Sequence, residues 1–367
     1  MPLQPRPAIA NLKICEHGGL NYGELEALGL SPDEVIDFSV SSNPSGPPPG
    51  IRPIVKSVKI ARYPDSETNV LRRRLAQKLG VTSRNMLIGN GSTELIRLAV
   101  LAYLDKGDRA IIIEPTFGEY EVACNIVRAS IIRQQIVEND GFKLDIDKTE
   151  ELIKQYVPRI IFICNPNNPT GNYLRYAEFE RLLSAAEESL FVLDEAYITF
   201  VDNTWSSLGM INKSNLLILR SMTKDYALAG LRLGYAIARE EIIDSLRRVC
   251  PPWNINAVAQ QAGISALQYD KYLEQSHAVA ARGKNFLVEE LTHLGLRCLP
   301  SEANFFLVKV GNASDFRQRL LAKKILVRDC TSFGLPQYIR IAPKSLKKCR
   351  KLVAAIKEIV DGKQDAS

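Results

Sequence analysis

The chain has no CxxC pair, few histidines and no long apolar run, and each absence removes a class of function. Its seven cysteines (Cys15, Cys124, Cys164, Cys250, Cys298, Cys330 and Cys349) are scattered and odd in number, which excludes a zinc ribbon and a thioredoxin-type redox pair. With three histidines in 367 residues, a His/Cys metal cluster is not expected, and no metal ligand is assigned. No stretch approaches the ~20 apolar residues of a membrane helix. Residues 1–10 are proline-rich and lack the apolar centre of a secretion signal. Scattered cysteines in apolar surroundings suit a reducing compartment, so the expectation is a cytoplasmic, soluble protein with no membrane partner.

Charge of one sign is also scarce. The net charge is only +6. The run Arg72, Arg73, Arg74 reads as a solvated helix face. The basic stretch 344–351 opens an amphipathic C-terminal helix with Leu352, Ile356 and Ile359 on its apolar side. Neither patch has the interleaved aromatics of a single-strand groove, so no nucleic-acid partner is expected. A small anionic ligand suits the mild excess better.

What is present is a globular chain, 46% hydrophobic, long enough for about two domains. There is no internal repeat. The segment Asn43-Pro44-Ser45-Gly46-Pro47-Pro48-Pro49-Gly50 is a stiff crossing rather than a flexible linker. After it, helical patterns such as 94–104 and 176–188 alternate with nearly all-apolar runs at 110–114, 160–164, 190–193 and 216–219. Such runs predict strands buried on both faces of a mostly parallel sheet, hence an α/β domain. Past about residue 255 the pattern changes to a long helical stretch (258–291), short strands near 304–310 and 338–342, and a last helix. The expected organisation is a large domain over 46–255 and a smaller α+β domain over 256–367, which residues 1–45 join.

Ligands of α/β sheets sit beyond the carboxyl ends of the strands. Gly89-Asn90-Gly91-Ser92-Thr93-Glu94 opens a helix there. It fails as a dinucleotide fingerprint, since Glu94 stands where the third glycine should, and it lacks the Walker lysine. It is either a helix cap at Ser92 or Thr93 or a cup for a phosphate. Asn165-Pro166-Asn167-Asn168-Pro169-Thr170-Gly171 comes after the second run, Asp194-Glu195-Ala196-Tyr197 after the third, and Ser221-Met222-Thr223-Lys224, with Arg232 beyond, after the fourth. A strand-end carboxylate needs a cation or donor, and a strand-end lysine is either a solvated loop residue or a desolvated amine of lowered pKa.

One cofactor asks for this set together. Pyridoxal 5′-phosphate needs a lysine for its aldehyde, a carboxylate for its ring nitrogen, donors for its phenolic oxygen, a phosphate cup and an aromatic neighbour. Lys224, Asp194, Asn168 with Tyr197, Ser92 and Thr93 with Arg232, and Phe117 of Pro115-Thr116-Phe117-Gly118 match those needs in turn.

In this order and at these intervals the motifs resemble the fold-type-I pyridoxal-phosphate enzymes of the aminotransferase class I/II family, from about His17 to the C-terminal helix. The resemblance implies a large domain with a mostly parallel seven-stranded sheet, a smaller α+β domain, and a homodimer. It implies Lys224, Asp194 and Tyr197 as catalytic groups. Gly91, Ser92, Thr93, Phe117, Asn168, Ser221, Thr223 and Arg232 would join them in holding the cofactor. Tyr63 of Arg62-Tyr63-Pro64-Asp65 would reach the partner subunit's site, and Arg340 would grip the substrate carboxylate.

Within the family, the chain is most similar to threonine-phosphate decarboxylases of cobalamin biosynthesis and next to histidinol-phosphate aminotransferases. The features are Glu16-His17-Gly18-Gly19, Pro252-Trp253-Asn254-Ile255-Asn256-Ala257, and Ile325-Leu326-Val327-Arg328-Asp329-Cys330. They imply that His17, Gly18, Ser41, Asn168, Arg328 and Arg340 receive a small phosphorylated amino acid. Ser41 departs from the asparagine usual in the decarboxylases. The implied reaction is decarboxylation of O-phospho-L-threonine or O-phospho-L-serine to the amino-alcohol phosphate; the alternative is transamination of histidinol phosphate. On the residues alone, His17 reads more readily as a surface or capping residue, and Arg328 equally as half of a structural ion pair. His277 and His293 read as structural.

Overall fold

The computed structural model describes residues 3–212 and 215–364. After the short strand β1 (Ile36–Asp37), seven strands build one sheet: β2 (Met86–Gly89), β3 (Arg109–Glu114), β4 (Ser130–Gln135), β5 (Ile160–Cys164), β6 (Leu190–Asp194), β7 (Leu216–Ser221) and β8 (Gly234–Ile237). Their order is β2-β8-β7-β6-β5-β3-β4, with β8 antiparallel to both its neighbours and all other observed pairs parallel. The four apolar runs are its central strands. Their side chains alternate between two cores: Ile111, Ile161, Phe191 and Ile218 pack on one face, Ile112, Phe162, Val192 and Leu219 on the other. Helices cover both faces, as continuous apolar strands require.

A second unit is built from both ends of the chain. Strands β9 (Arg297–Cys298), β10 (Phe306–Lys309), β12 (Arg328–Asp329) and β13 (Tyr338–Ile341) form an antiparallel sheet in the order β12-β13-β10-β9. Between them, β11 (Ile325–Leu326) pairs in parallel with β1. Phe38, fully buried with Phe306, Ile339, Ile341, Leu352 and Ile356, anchors the N-terminal strand in this core. The apolar stripe on the helix Leu346–Gln364 thus faces inward as the 3.6-residue period predicts. No helix among the described residues is long and apolar enough to cross a membrane.

Two expectations about helices need correction. The stretch 258–291 is two helices, Ala257–Ala266 and Asp270–His293. The helix expected from residue 94 starts at Gly91, so Ser92 and Thr93 lie in its first turn and neither caps it. Instead the Glu94 carboxylate accepts from the Asn90 backbone N–H at 2.7 Å. The reason is Gly91: its φ of +74° lets the chain turn from β2 directly into the helix.

Candidate active site

At the end of β7, Thr223 N–H donates to Ser221 Oγ at 3.3 Å, and the two hydroxyls lie 2.6 Å apart. This local turn directs Lys224 inward. Asn43, from the proline-rich crossing, secures it: its backbone N–H donates to the Lys224 carbonyl at 2.7 Å and its side-chain amide to the Asp225 carbonyl at 2.8 Å. Lys224 Nζ lies 5.6 Å from the centre of the Tyr197 ring. Burial pushes the amine down to about 8, with Arg340 and Arg232 acting in the same direction and Asp194 against them. Near neutrality a useful fraction is therefore uncharged and nucleophilic.

The strand-end carboxylate has two donors. Asp194 accepts from the Tyr120 hydroxyl at 2.9 Å and from the Ala196 N–H at 3.0 Å. Burial lifts it to about 6, against these hydrogen bonds and the Lys224 charge. The neighbouring Glu195 faces elsewhere and is matched by Arg220 at 2.8 Å. Tyr120 is itself held by stacking on Phe162, 4.8 Å between ring centres. Sequence reasoning missed it; its place three residues after Phe117, in the helix Glu119–Val127, was the available signal.

A third group lies beside these elements. Gly91, Ser92, Ser221, Thr223 and Arg232 converge because β8 returns next to β7, pairing Ser221 with Gly234. A Cβ on Gly91 would stand 2.6 Å from Arg232 Nη2, and one on Gly234 3.0 Å from the Ser92 nitrogen. This leaves the helix N-terminus with free N–H groups next to a guanidinium that has no carboxylate partner among the described residues, the electrostatics of a phosphate site.

Opposite Lys224 are two guanidiniums. Arg328 and Arg340 are register partners on β12 and β13. Arg340 is buried; its Nη1 donates to Asn168 Oδ1, its Nη2 to the Ser39 carbonyl at 2.8 Å, and its Nε has no partner. Arg328 Nη2 donates to the Glu16 carbonyl at 2.8 Å and to Ser332 Oγ at 2.6 Å. Neither arginine meets a carboxylate among the described residues, which removes the ion-pair reading of Arg328. Both line one cavity of about 1050 Å³ with Lys224, Asn168, Tyr197, Phe117 and Ser41. The Ser41 hydroxyl is buried there without a partner.

His17 and Gly18 stand at the mouth of the same cavity. A Cβ on Gly18 would lie 2.7 Å from the Ser39 carbonyl, so only glycine lets this segment close on residues 39–41. His17 Nε2 pairs with Glu119 at 3.0 Å, and Glu119 also meets Arg97 at 3.3 Å. Hydrogen bonds to Cys15 and Glu119 raise the imidazole to about 9. Donor atoms of Cys15, His17 and Glu119 lie within 4.8 Å of one another. Glu119 was also missed: in the sequence it is one glutamate among many, and only burial marks it. Tyr63 is the predicted residue that this chain leaves apart. It is 81% exposed and packs on Trp253, 4.8 Å between ring centres.

A family model described as aminotransferase class I and II matches residues 33–356. The chain belongs to that family. Among the family's curated members, the histidinol-phosphate aminotransferase of Moorella thermoacetica is 36% identical over 340 residues, spanning 90% of this chain and 87% of that protein. The adenosylcobalamin biosynthesis bifunctional protein CobDQ of Leptospira interrogans is 33% identical over 363 residues, which is 96% of this chain but 42% of that longer protein. The solved L-threonine-O-3-phosphate decarboxylase of Porphyromonas gingivalis superposes with a TM-score of 0.78 at 26% identity, covering 88% of this chain and 99% of that one. Class I/II enzymes carry pyridoxal 5′-phosphate, and this chain is one of them. Its residues fit the group: a buried amine of lowered pKa, a buried carboxylate, and an uncapped helix N-terminus whose backbone Gly91 leaves open.

Proposed function

We propose that the protein decarboxylates O-phospho-L-threonine or O-phospho-L-serine to the corresponding amino-alcohol phosphate. The observation that carries this reading is the pair Arg328 and Arg340: two adjacent guanidiniums with no carboxylate partner among the described residues, in one cavity with Lys224. Register partners on antiparallel strands stand ~4.5–5.5 Å apart at Cα, a spacing suited to two anions on one short carbon chain. O-Phosphothreonine and O-phosphoserine carry such a pair, a carboxylate and a phosphate. Histidinol phosphate carries only the phosphate. The relatives named for adenosylcobalamin biosynthesis and for threonine-phosphate decarboxylation lend the same support.

When bound, pyridoxal phosphate supplies an electron sink conjugated to the substrate's Cα. The protein's own groups do the rest. Lys224 offers the amine for the cofactor's aldehyde, and Ser92, Thr93, Ser221, Thr223 and Arg232 take its phosphate. Asp194 is the counter-charge for the ring nitrogen, with Tyr120 and the Ala196 N–H fixing its two oxygens. Asn168 and Tyr197 serve the phenolic oxygen. Arg340 holds the substrate carboxylate, and its bond to the Ser39 carbonyl fixes the guanidinium plane. Fixing that plane orients the Cα–carboxylate bond, and the bond so oriented is the one that breaks. Arg328 and His17 take the phosphate, and Lys224 Nζ returns a proton to Cα.

Transamination of histidinol phosphate is the second reading. It is favoured by several relatives with that name at 32–36% identity. Both readings use the same cofactor contacts. Incubating the loaded protein with O-phospho-L-threonine and O-phospho-L-serine should release CO2 without an amino acceptor. Conversion of histidinol phosphate only with 2-oxoglutarate, and no CO2 from either phosphoamino acid, overturns the decarboxylase. We further propose a homodimer in which Tyr63, exposed on this chain, reaches the partner's cofactor phosphate. A monomer by analytical ultracentrifugation would end that proposal.

A further inference from the structure

We propose that Glu119 is a positioning residue: anchored by Arg97, its carboxylate holds His17 as a fixed cation at the cavity mouth, where it meets the phosphate of the substrate. This rests on the phosphorylated-substrate reading above and adds to it the residue that makes His17 able to bind an anion.

Half of the His17 side chain is exposed (51%), whereas that of Glu119 is 7% exposed. Left alone, an exposed imidazole rotates freely and, with an ordinary pKa of about 6.5, is charged in only about a quarter of molecules at pH 7. Here one Glu119 oxygen takes His17 Nε2 at 3.0 Å and the other takes Arg97 at 3.3 Å. The carboxylate is thus fixed from the helix Gly91–Tyr103 while it fixes the ring. The ring also tilts against Phe117, 5.8 Å between centres.

The charged and titratable groups around His17 act together. Cys15 on its own segment and Glu119 opposite both favour the imidazolium, and burial opposes them, giving about 9. Arg97 stands behind Glu119, and Arg328 of β12 reaches the preceding carbonyl of Glu16. Arg97, Glu119 and charged His17 sum to one positive charge, which joins that of Arg328 on the route to Lys224. A dianionic phosphate at this place would meet two cations whose charge does not fade between pH 6 and 8.

The test uses holoenzyme and inorganic phosphate as the probe. The imidazole resonance of His17, assigned with an H17Q variant, should titrate near 9 in the wild type and clearly lower in E119Q, where only Cys15 still favours the charged ring. Phosphate affinity and the KM for O-phospho-L-threonine should each weaken about tenfold in E119Q at pH 8 and much less at pH 6, with kcat little changed and E119D partly restoring both. In an H17Q background, E119Q should add nothing. A wild-type His17 midpoint near 6.5 overturns the proposal even if E119Q does not fold. So does an E119Q loss equal at both pH values or equal with and without His17. Should the wild type turn over neither phosphoamino acid, the decarboxylase reading fails, while the titration and phosphate binding still decide the role of Glu119.

Discussion

At one end of the candidate site, Gly91, Ser92, Asp194, Ser221, Thr223 and Lys224 come from the tips of neighbouring strands in one sheet and the turns just beyond them. At the other, His17, Ser41, Arg328 and Arg340 come from chain segments some three hundred residues apart, joined when β1 pairs with β11 and β12 with β13. The first end is fixed by local turns on a rigid scaffold and uses groups that any reaction of the cofactor needs. The second depends on how both termini pack around Phe38, and under the proposed function it is the part that selects what enters. In the proposed function, chemistry and selectivity thus sit on separately built frames that meet where Lys224 lines one cavity with Arg328 and Arg340.

Variants at the two ends should fail differently. The largest effect is expected from K224A, which removes the amine for the cofactor. Turnover should fall at least ~10²–10⁴-fold, with no borohydride adduct at residue 224 by mass spectrometry and no dependence on which substrate is offered. R340K should be next. Lysine keeps the charge but cannot bond Asn168 and the Ser39 carbonyl at once. Losing a hydrogen bond from a charged donor costs ~1.5–3 kcal/mol, or about 10–150-fold in kcat/KM, while the cofactor's absorbance band should persist. If R340K also loses the cofactor, the two ends are not separable.

G91A tests the cofactor end more gently. A left-handed conformation costs a non-glycine residue ~1–2 kcal/mol, and the new methyl would press on Arg232. Weaker cofactor binding with an unchanged KM for the phosphoamino acid is expected, read by equilibrium dialysis and kinetics. The smallest effect concerns pH. Because Lys224 in the cofactor-free protein titrates near 8, its reactive neutral fraction falls as pH falls. Aldehyde capture should rise about tenfold per pH unit below 8 and level off above it. A flat profile from pH 6 to 9 would mean the amine is not desolvated.

Legibility divides along the same line. Strands β5, β6 and β7 were readable because a strand buried on both faces must be apolar throughout, so the first polar residues beyond such a run mark the strand end. Lys224, Asp194 and Asn168 lie at or just past those ends. Strands β2 and β8 were not read because each is only four residues long and one of those is a glycine, and β4 because Arg133, Gln134 and Gln135 end its apolar run. Tyr120 and Glu119 escaped for a related reason: each acts across more than seventy residues, on Asp194 and His17. Nothing local to a glutamate says that it will be buried. Ser92 and Thr93 had two readings at the helix start, and the backbone turn at Gly91 removed the cap.

By itself, the order of residues determined that the chain makes a covered α/β sheet, where its strands end, and which chemical groups stand at those ends. Periodicity and turn chemistry act over a few residues and survive without knowledge of the fold. Only the tertiary structure decided that Arg328 stands beside Arg340, that Tyr120 holds Asp194, and that Glu119 holds His17. The first is a pairing of neighbouring strands and the other two are contacts across long stretches of chain, made because burying an apolar core outweighs the entropy of closing them, and no local pattern encodes which polar groups that closure brings together.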